Sequence, residues 1–314
     1  MTGYLVHLPD VRQRARAALL GLAIGDALGA TVEFMTTGEI HAAYGTLRKM
    51  VGGGWLRLRP GQVTDDTQMS LCIARSIVEV GHDPQDIARR FVEWYLSKPP
   101  DIGNTCMRGI VRFMTRGTVH GPPNEGDAGN GAVMRVAPVA LATLANEELL
   151  KAHVLAQARI THNHPLSDAA SVLVAQLIQL ALVGHAMDRL QRQVDRASLT
   201  FPQFSYRRFN GLSTAYVVDT MQTVLHFLFS TTSFEDCVVA TVNQGGDADT
   251  TGAIVGAIAG AYYGFDAIPR DWMRKLDPQV RGELDVLAEQ LVDFSPLAHG
   301  DPITLVPPLR GADL

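Results

Sequence analysis

Strict apolar–polar alternation is nearly absent from this chain of 314 residues. Without a period of two, no half-buried strand is indicated, and a parallel α/β architecture is not expected. Cysteine is scarce. Cys72, Cys106 and Cys237 lie far apart and match no zinc or redox spacing. Each falls in an apolar helical pattern, so buried free thiols and a reducing compartment are expected. A basic run is missing too, and the formal net charge is −5. That argues against a nucleic-acid partner and weakly suits a cationic or arginine-bearing one. Long hydrophobic runs are also wanting. Residues 17–25 follow arginines as a signal peptide would, but Asp26 interrupts the run and the segment continues to Glu33. Residues 252–264 are too short to span a bilayer. Neither stretch is expected to be a targeting or membrane segment.

Hydrophobic residues make up 46% of the chain, enough for a sizeable core. Helical periodicity runs through residues 10–28, 68–80, 86–96, 105–115, 132–144, 147–160, 165–183, 213–229, 234–242 and 279–292. Residues 38–61 and 117–131 carry Gly and Pro turn signals and are expected to be loops. No linker divides the chain. The expected fold is all-α and compact, with one domain over residues 1–293 and a Pro-rich tail over 294–314.

Glycine recurs every fourth residue at Gly21, Gly25 and Gly29, and again at Gly252, Gly256, Gly260 and Gly264. Each costs a helix interior about 1 kcal/mol relative to alanine. Stacking that cost on one face makes sense where two helix backbones must approach closely. The residues between are apolar, unlike those of a flexible linker. The two segments are therefore expected to be central helices in contact.

Polar residues concentrate in a few clusters. Gly245-Gly246-Asp247-Ala248-Asp249-Thr250-Thr251 sits on a glycine-flanked turn before one glycine-striped run. Free N–H groups and the macrodipole favour negative charge at a helix start. Simple capping, however, needs one such residue rather than Asp-x-Asp-Thr-Thr. Val63-Thr64-Asp65-Asp66-Thr67 repeats the theme. Adjacent carboxylates repel and are best tolerated beside a cation. Together the clusters offer six hard oxygen ligands, suited to a pair of Mg²⁺ or Mn²⁺ ions.

Other positions are more ambiguous. Asp101 in Pro99-Pro100-Asp101 stands as a catalytic carboxylate or a turn residue, and sequence alone favours the turn. His162 and His164 precede a helix with no third zinc ligand nearby, so a loop that contacts a ligand is favoured over a metal site. Asp127, Asn130, Met134 and Arg135 follow glycines that let a ligand approach the backbone, where N–H groups could hold phosphates. Glu33 faces either the acidic clusters or solvent.

The clusters occur in a fixed order. Gly21-Leu22-Ala23-Ile24-Gly25-Asp26-Ala27-Leu28-Gly29 with Glu33 is followed by Thr64-Asp65-Asp66-Thr67 and Gly103-Asn104-Thr105. Gly126-Asp127-Ala128-Gly129-Asn130-Gly131, Thr161-His162-Asn163-His164-Pro165 and Gly245-Gly246-Asp247-Ala248-Asp249-Thr250 complete the series. From about residue 14 to 292 the chain closely resembles the ADP-ribosylglycohydrolases. Gly52-Gly53-Gly54-Trp55-Leu56-Arg57 and the stretch from Val218 to His226 resemble the branch that acts on ADP-ribosylated dinitrogenase reductase, the nitrogenase iron protein.

The resemblance implies an all-α fold with a binuclear Mn²⁺ or Mg²⁺ centre in a cleft, held by Thr64, Asp65, Asp66, Asp247, Asp249 and Thr250. It implies a catalytic carboxylate at Asp101 and a second acid, Glu33, near the metals. Asn104, Asp127, Asn130, Arg135, His162 and Tyr216 would bind ADP-ribose or line its cleft. The implied activity is release of ADP-ribose from an arginine. The implied setting is cytoplasmic and reversibly membrane-associated through partners, namely a PII-type signal protein and an ammonium channel.

Two other readings fare worse. Asp247-Ala248-Asp249-Thr250 superficially matches the Asp-x-Asp-x-Thr pattern of aspartyl-phosphate enzymes, but that pattern wants a strand before it and a parallel α/β fold around it. A binding relative without catalysis should have lost its metal carboxylates, and this chain keeps them with Asp101.

Overall fold

The computed structural model describes residues 7–300. Among them every regular element is helical, and the only β-pairings are isolated bridges, Gly53 with Leu58 and Gly129 with Tyr216.

Two buried helices form the axis, α1 (Leu8–Gly29) and α12 (Ala248–Tyr263). A Cβ built on Gly25 would stand 1.9 Å from the Gly252 carbonyl oxygen, and one on Gly21 would stand 2.2 Å from that of Gly256. The reciprocal clashes at Gly252, Gly256 and Gly260 fall on the carbonyls of Gly25, Gly21 and Ala17. Partner numbers fall along α12 as they rise along α1, so the helices run antiparallel. The end of α1 therefore meets the start of α12, and Gly29 lies against Ala248. Gly264 is the exception to the stripe. It caps α12 at φ 83° and has open space around its Cβ position.

The remaining helices wrap this pair. α8 (Pro165–Leu182), α10 (Val217–Ser230), α11 (Phe234–Val242) and α14 (Pro278–Phe294) pack against it directly. α3 (Asp65–Val80) is held between α14, α4 (Pro84–Leu96) and α6 (Ala137–Ala142). α5 (Asn104–Arg116) follows α4, and α7 (Glu147–Ala158) precedes α8. α8 is long and apolar enough to cross a membrane, but 72% of it is buried inside the protein, as suits a core helix. Cys72, Cys106 and Cys237 are free and buried, as expected, and burial pushes their thiols up to about 11, 11 and 12.

Some elements differ from expectation. The segment expected to be irregular over 38–61 opens with a helix, α2 (Thr37–Tyr44). Thr36 and Glu39 close a reciprocal capping box that outweighs Gly38. α9 (Met187–Thr200) and the short α13 (Arg270–Lys275) were not anticipated. The helix expected over 132–144 shrinks to α6, because residues 132–136 turn to bring Asn130 to the centre. Of the tail expected from 294 onward, residues 301–314 lie outside the described residues. Phe294 ends α14, and the Leu297 N–H donates to Leu144 O at 3.2 Å.

Glycine-to-alanine substitutions should split by site. Gly25→Ala gains about 1 kcal/mol of helix propensity but forces α1 and α12 apart, a loss of about 3 kcal/mol that wins. Gly282→Ala, on an exposed face of α14 with nothing near the new Cβ, should gain about 0.5–1 kcal/mol. Denaturant midpoints of the two variants check the opposite signs.

Candidate active site

Asp26 brings three helix ends together. It lies fully buried in the last turn of α1. Its carboxylate accepts from the Thr64 and Thr67 backbone N–H groups at 3.0 and 3.2 Å, and from both threonine hydroxyls. These are free donors at the start of α3, so Asp26 caps that helix from a neighbouring one. Asp65 and Asp66 are thereby set facing the start of α12, where Asp247 is the residue before the helix and Asp249 lies in its first turn.

A second seam joins the residues after α1 to the turn before α12. The Phe34 N–H donates to Gly246 O at 2.6 Å, and the Gly246 N–H returns a bond to Met35 O at 2.8 Å. Gly245 and Gly246 adopt φ 73° and 62°, and a Cβ on either would fall within about 2 Å of a facing carbonyl oxygen. This seam carries Glu33 inward. Carboxylate oxygens of Glu33, Asp247 and Asp249 all lie within 4.8 Å of one another.

The Asp66 Oδ2 accepts from the Thr64 hydroxyl at 3.1 Å and the Thr250 hydroxyl at 3.4 Å, which links the two acidic helix starts. Its Oδ1 is buried without a partner. Thr64, Asp65, Asp66, Asp247, Asp249 and Thr250 are thus assembled in one place. Glu33 joins the carboxylates more intimately than its distance in sequence suggests.

A cavity of about 380 Å³ opens onto this cluster. Glu33, Asp65, Asp247, Asp249 and Thr250 line it, together with Asp101, Asn104, Asn130 and His162. Asn130 donates to the Thr220 hydroxyl and to Asp247, so its amide is fixed. His162 Nδ1 shares a 2.8 Å hydrogen bond with the Thr161 hydroxyl. Gly129 and Gly131 leave room for its ring, since a Cβ on Gly131 would meet it at 2.7 Å. Burial, with Arg135 and Arg108 nearby, holds His162 far below the usual imidazole range and so neutral. His164 instead caps α8, its Nδ1 accepting the Leu166 N–H at 3.1 Å.

Of the residues expected to bind ADP-ribose or line its cleft, Arg135, Asp127 and Tyr216 are not among those that line this cavity. Arg135 is entirely buried. It donates to Gln157 and to the Thr161 hydroxyl at 2.8 Å and lies over the Phe91 ring, so it supports the His162 loop from behind. Asp127 pairs with Arg108 and accepts the Asn163 N–H at 3.2 Å, which ties two loops together. Tyr216 precedes α10, half exposed, beside Gly129 at the edge of the cavity. Helical periodicity and motif order do not reveal which way such side chains point.

Two further residues shape the site. Asp26 shows itself in the sequence as the one charge in a glycine-striped apolar run. Trp55 also lines the cavity, and its indole Nε1–H donates to Glu33 Oε2 at 2.6 Å.

The electrostatics are one-sided. Burial, then the neighbouring acids Asp101, Asp247 and Asp65, raise Glu33 to about 8 against its Trp55 hydrogen bond. Burial, followed by Asp101 and Asp26, raises Asp65 to about 7. Asp66 and Asp249 rise further, driven by burial and by other carboxylates, and burial raises Asp247 and Asp101 as well. Hard oxygen donors, an unpartnered buried carboxylate oxygen and unbalanced negative charge fit a divalent cation.

An all-α chain whose helix starts present carboxylates and hydroxyls to one cavity has the makings of a metal-assisted hydrolase. The sequence pattern of the ADP-ribosylglycohydrolase family matches residues 7–299, and the chain belongs to that family. It is 55% identical over 277 residues to the ADP-ribosyl-[dinitrogen reductase] glycohydrolase of Rhodospirillum rubrum, covering 88% of this chain and 94% of that protein. It is 32% identical to the ADP-ribosylarginine hydrolase Tri1 of Serratia proteamaculans (strain 568), covering 93% of this chain and 82% of that one. A solved structure described as an ADP-ribosylglycohydrolase-related protein complex superposes with a TM-score of 0.80 at 34% identity, over 91% of this chain and 99% of that one.

Stability should depend on pH with a sign set by these carboxylates. Asp26, Asp65 and Glu33 titrate near 6, 7 and 8 in the folded chain, against 3.8, 3.8 and 4.5 ordinarily. The folded state then binds more protons than the unfolded state, so metal-free stability is lost as pH rises from about 4 to 8. Divalent cation favours the deprotonated site, so the stabilisation it gives should grow over the same window. Melting temperatures in chelator and in Mn²⁺ from pH 5 to 8 check this. A metal-free melting temperature that climbs with pH would contradict it.

Proposed function

We propose that this protein hydrolyses the N-glycosidic bond between ADP-ribose and an arginine of a target protein, with ADP-ribosylated dinitrogenase reductase as the physiological substrate. Such an enzyme would restore the nitrogenase iron protein to activity. The observation that carries this reading is one cavity onto which both acidic helix starts, Glu33 and Asp101 all open. The named activity of the Rhodospirillum relative supports the protein substrate, and that of the Serratia relative supports the arginine linkage.

In this reading Thr64, Asp65, Asp66, Asp247, Asp249 and Thr250 would hold a pair of divalent ions, Mn²⁺ or Mg²⁺, and Glu33 would stand beside them. Bound there, the ions supply Lewis-acid polarisation of the ribose hydroxyls and orientation of a water. The rest of the chemistry belongs to the protein.

A guanidinium carrying ADP-ribose is already cationic, so it can leave C1 as a neutral guanidine. The proton that needs a catalyst is then that of the attacking water. Asp101, half-buried on the cavity wall and near Glu33, Asp65 and Asp247, is the general base that takes it. The departing guanidine takes up a proton afterwards. Negative charge across the cavity stabilises the oxocarbenium-like C1 during bond breaking. Asn104, Asn130 and the neutral His162 ring offer hydrogen bonds to ADP-ribose. Regulation through a PII-type signal protein and an ammonium channel, with reversible recruitment from cytoplasm to membrane, completes the proposal and rests on the family resemblance alone.

Asp101→Asn should lower kcat by roughly 10²–10⁴-fold. Mn²⁺ affinity should stay near wild type, as measured by calorimetry on the same preparations. A variant with near wild-type kcat would return Asp101 to the role of a turn residue.

The carboxylate-lined cavity should also favour a cationic leaving group over a neutral serine ether. On matched peptides, kcat/KM should clearly favour ADP-ribosyl-arginine over ADP-ribosyl-serine. Equal values would overturn the arginine assignment.

A further inference from the structure

Two aromatic side chains at the cavity do not contribute to the hydrophobic core. Phe34 is 65% exposed and Trp55 is 52% exposed, yet both line the cavity wall. Their ring centroids lie 5.4 Å apart at an interplanar angle of 46°. Phe34 also sits at φ 64°, in the left-handed region that costs a non-glycine residue about 1–2 kcal/mol. Its backbone is locked there by the bond to Gly246.

Trp55 is equally constrained. Its loop is closed by reciprocal Gly53–Leu58 hydrogen bonds of 2.8 and 2.9 Å. Gly54 presses against the end of α1, where a Cβ would fall 2.3 Å from Ala30 O. Folding thus fixes two large rings at an aqueous mouth, and a strained backbone holds one of them. Neither burial nor propensity rewards that arrangement.

The chemistry of the mouth suggests its use. Both rings line the same cavity as Glu33 and Asp101, and the Trp55 indole meets the Glu33 carboxylate through its N–H edge. An aromatic face next to a carboxylate suits a planar cation, which stacks on the ring and directs its N–H edge to the acid. We infer that the Phe34–Trp55 pair is the platform for the guanidinium of the modified arginine and sets the linkage specificity of the cavity. This rests on the reading of the chain as an ADP-ribosylarginine hydrolase. The pair would hold the leaving group on the mouth side while ADP-ribose occupies the interior.

The Trp55–Glu33 hydrogen bond offers a competing explanation, in which Trp55 acts only by positioning Glu33. Trp55→Phe removes that N–H and keeps a ring face, whereas Trp55→Leu removes both. Phe34→Leu alters the platform without touching Glu33. The full chain in Mn²⁺ is assayed on arginine-linked peptide, and free ADP-ribose is titrated as a product inhibitor.

The platform predicts that Trp55→Leu and Phe34→Leu lower kcat/KM by roughly 3–30-fold, while Trp55→Phe stays within about threefold of wild type. The inhibition constant of free ADP-ribose should stay within about twofold in all three variants. Comparable losses in Trp55→Phe and Trp55→Leu, with Phe34→Leu unaffected, would show that Trp55 acts through Glu33 and overturn the proposal. A matching loss of ADP-ribose affinity would overturn it too, since the rings would then serve the nucleotide. If wild type releases no ADP-ribose from the arginine-linked peptide, the hydrolase reading itself fails.

Discussion

Carbonyl oxygens of one central helix stand where the other would need its Cβ atoms. This backbone contact between α1 and α12 is the constraint on which the rest depends. It forces glycine at Gly21, Gly25, Gly252 and Gly256 despite the helix-propensity cost of each. In return it fixes the antiparallel register of the pair, so that Asp26 and Glu33 from one end and Asp247 and Asp249 from the other share one small volume. Asp26 then draws in a third helix by capping α3. The site is a consequence of the packing, and its residues sit on rigid helix ends joined by two short hydrogen-bonded seams.

The same convergence creates an electrostatic problem. Helix starts at α3 and α12 welcome negative charge through their free N–H groups, but these supply only partial positive charge. They do not balance five clustered acids, and the charges acting most strongly on those acids are other acids. A protein can resolve such a cluster by protonation or by cation binding. Binding cations would turn an unfavourable arrangement into a hydrolytic centre, with Asp101 on the wall of the same cavity.

Much of this was legible in the sequence, for physical reasons. A four-residue glycine spacing between apolar residues has few explanations other than close helix contact, and Asp-Asp or Asp-x-Asp beside threonines exceeds what capping needs. The family pattern then ordered the clusters. What sequence hid was direction and distance in space. Arg135 follows the glycine-rich loop as a ligand-binding residue would, yet its guanidinium turns into the core. Asp127 follows glycines as a ligand contact would, yet it is paired with Arg108. Asp26 reads locally as an interruption in an apolar run, and its partners Thr64 and Thr67 lie some forty residues on. The α2 capping box was written in Thr36 and Glu39 but masked by Gly38. Trp55 matched a motif, but its N–H on Glu33 and its ring beside Phe34 appear only in the fold.

The account stands on the claim that opposed acidic helix starts share divalent cations. Anomalous diffraction from crystals of the full chain grown with Mn²⁺ tests that claim most directly. The account predicts a pair of anomalous peaks between the starts of α3 and α12, within coordinating distance of Asp65, Asp66, Asp247 and Asp249. Well-ordered crystals grown in excess Mn²⁺ with no anomalous density in that cavity would contradict it.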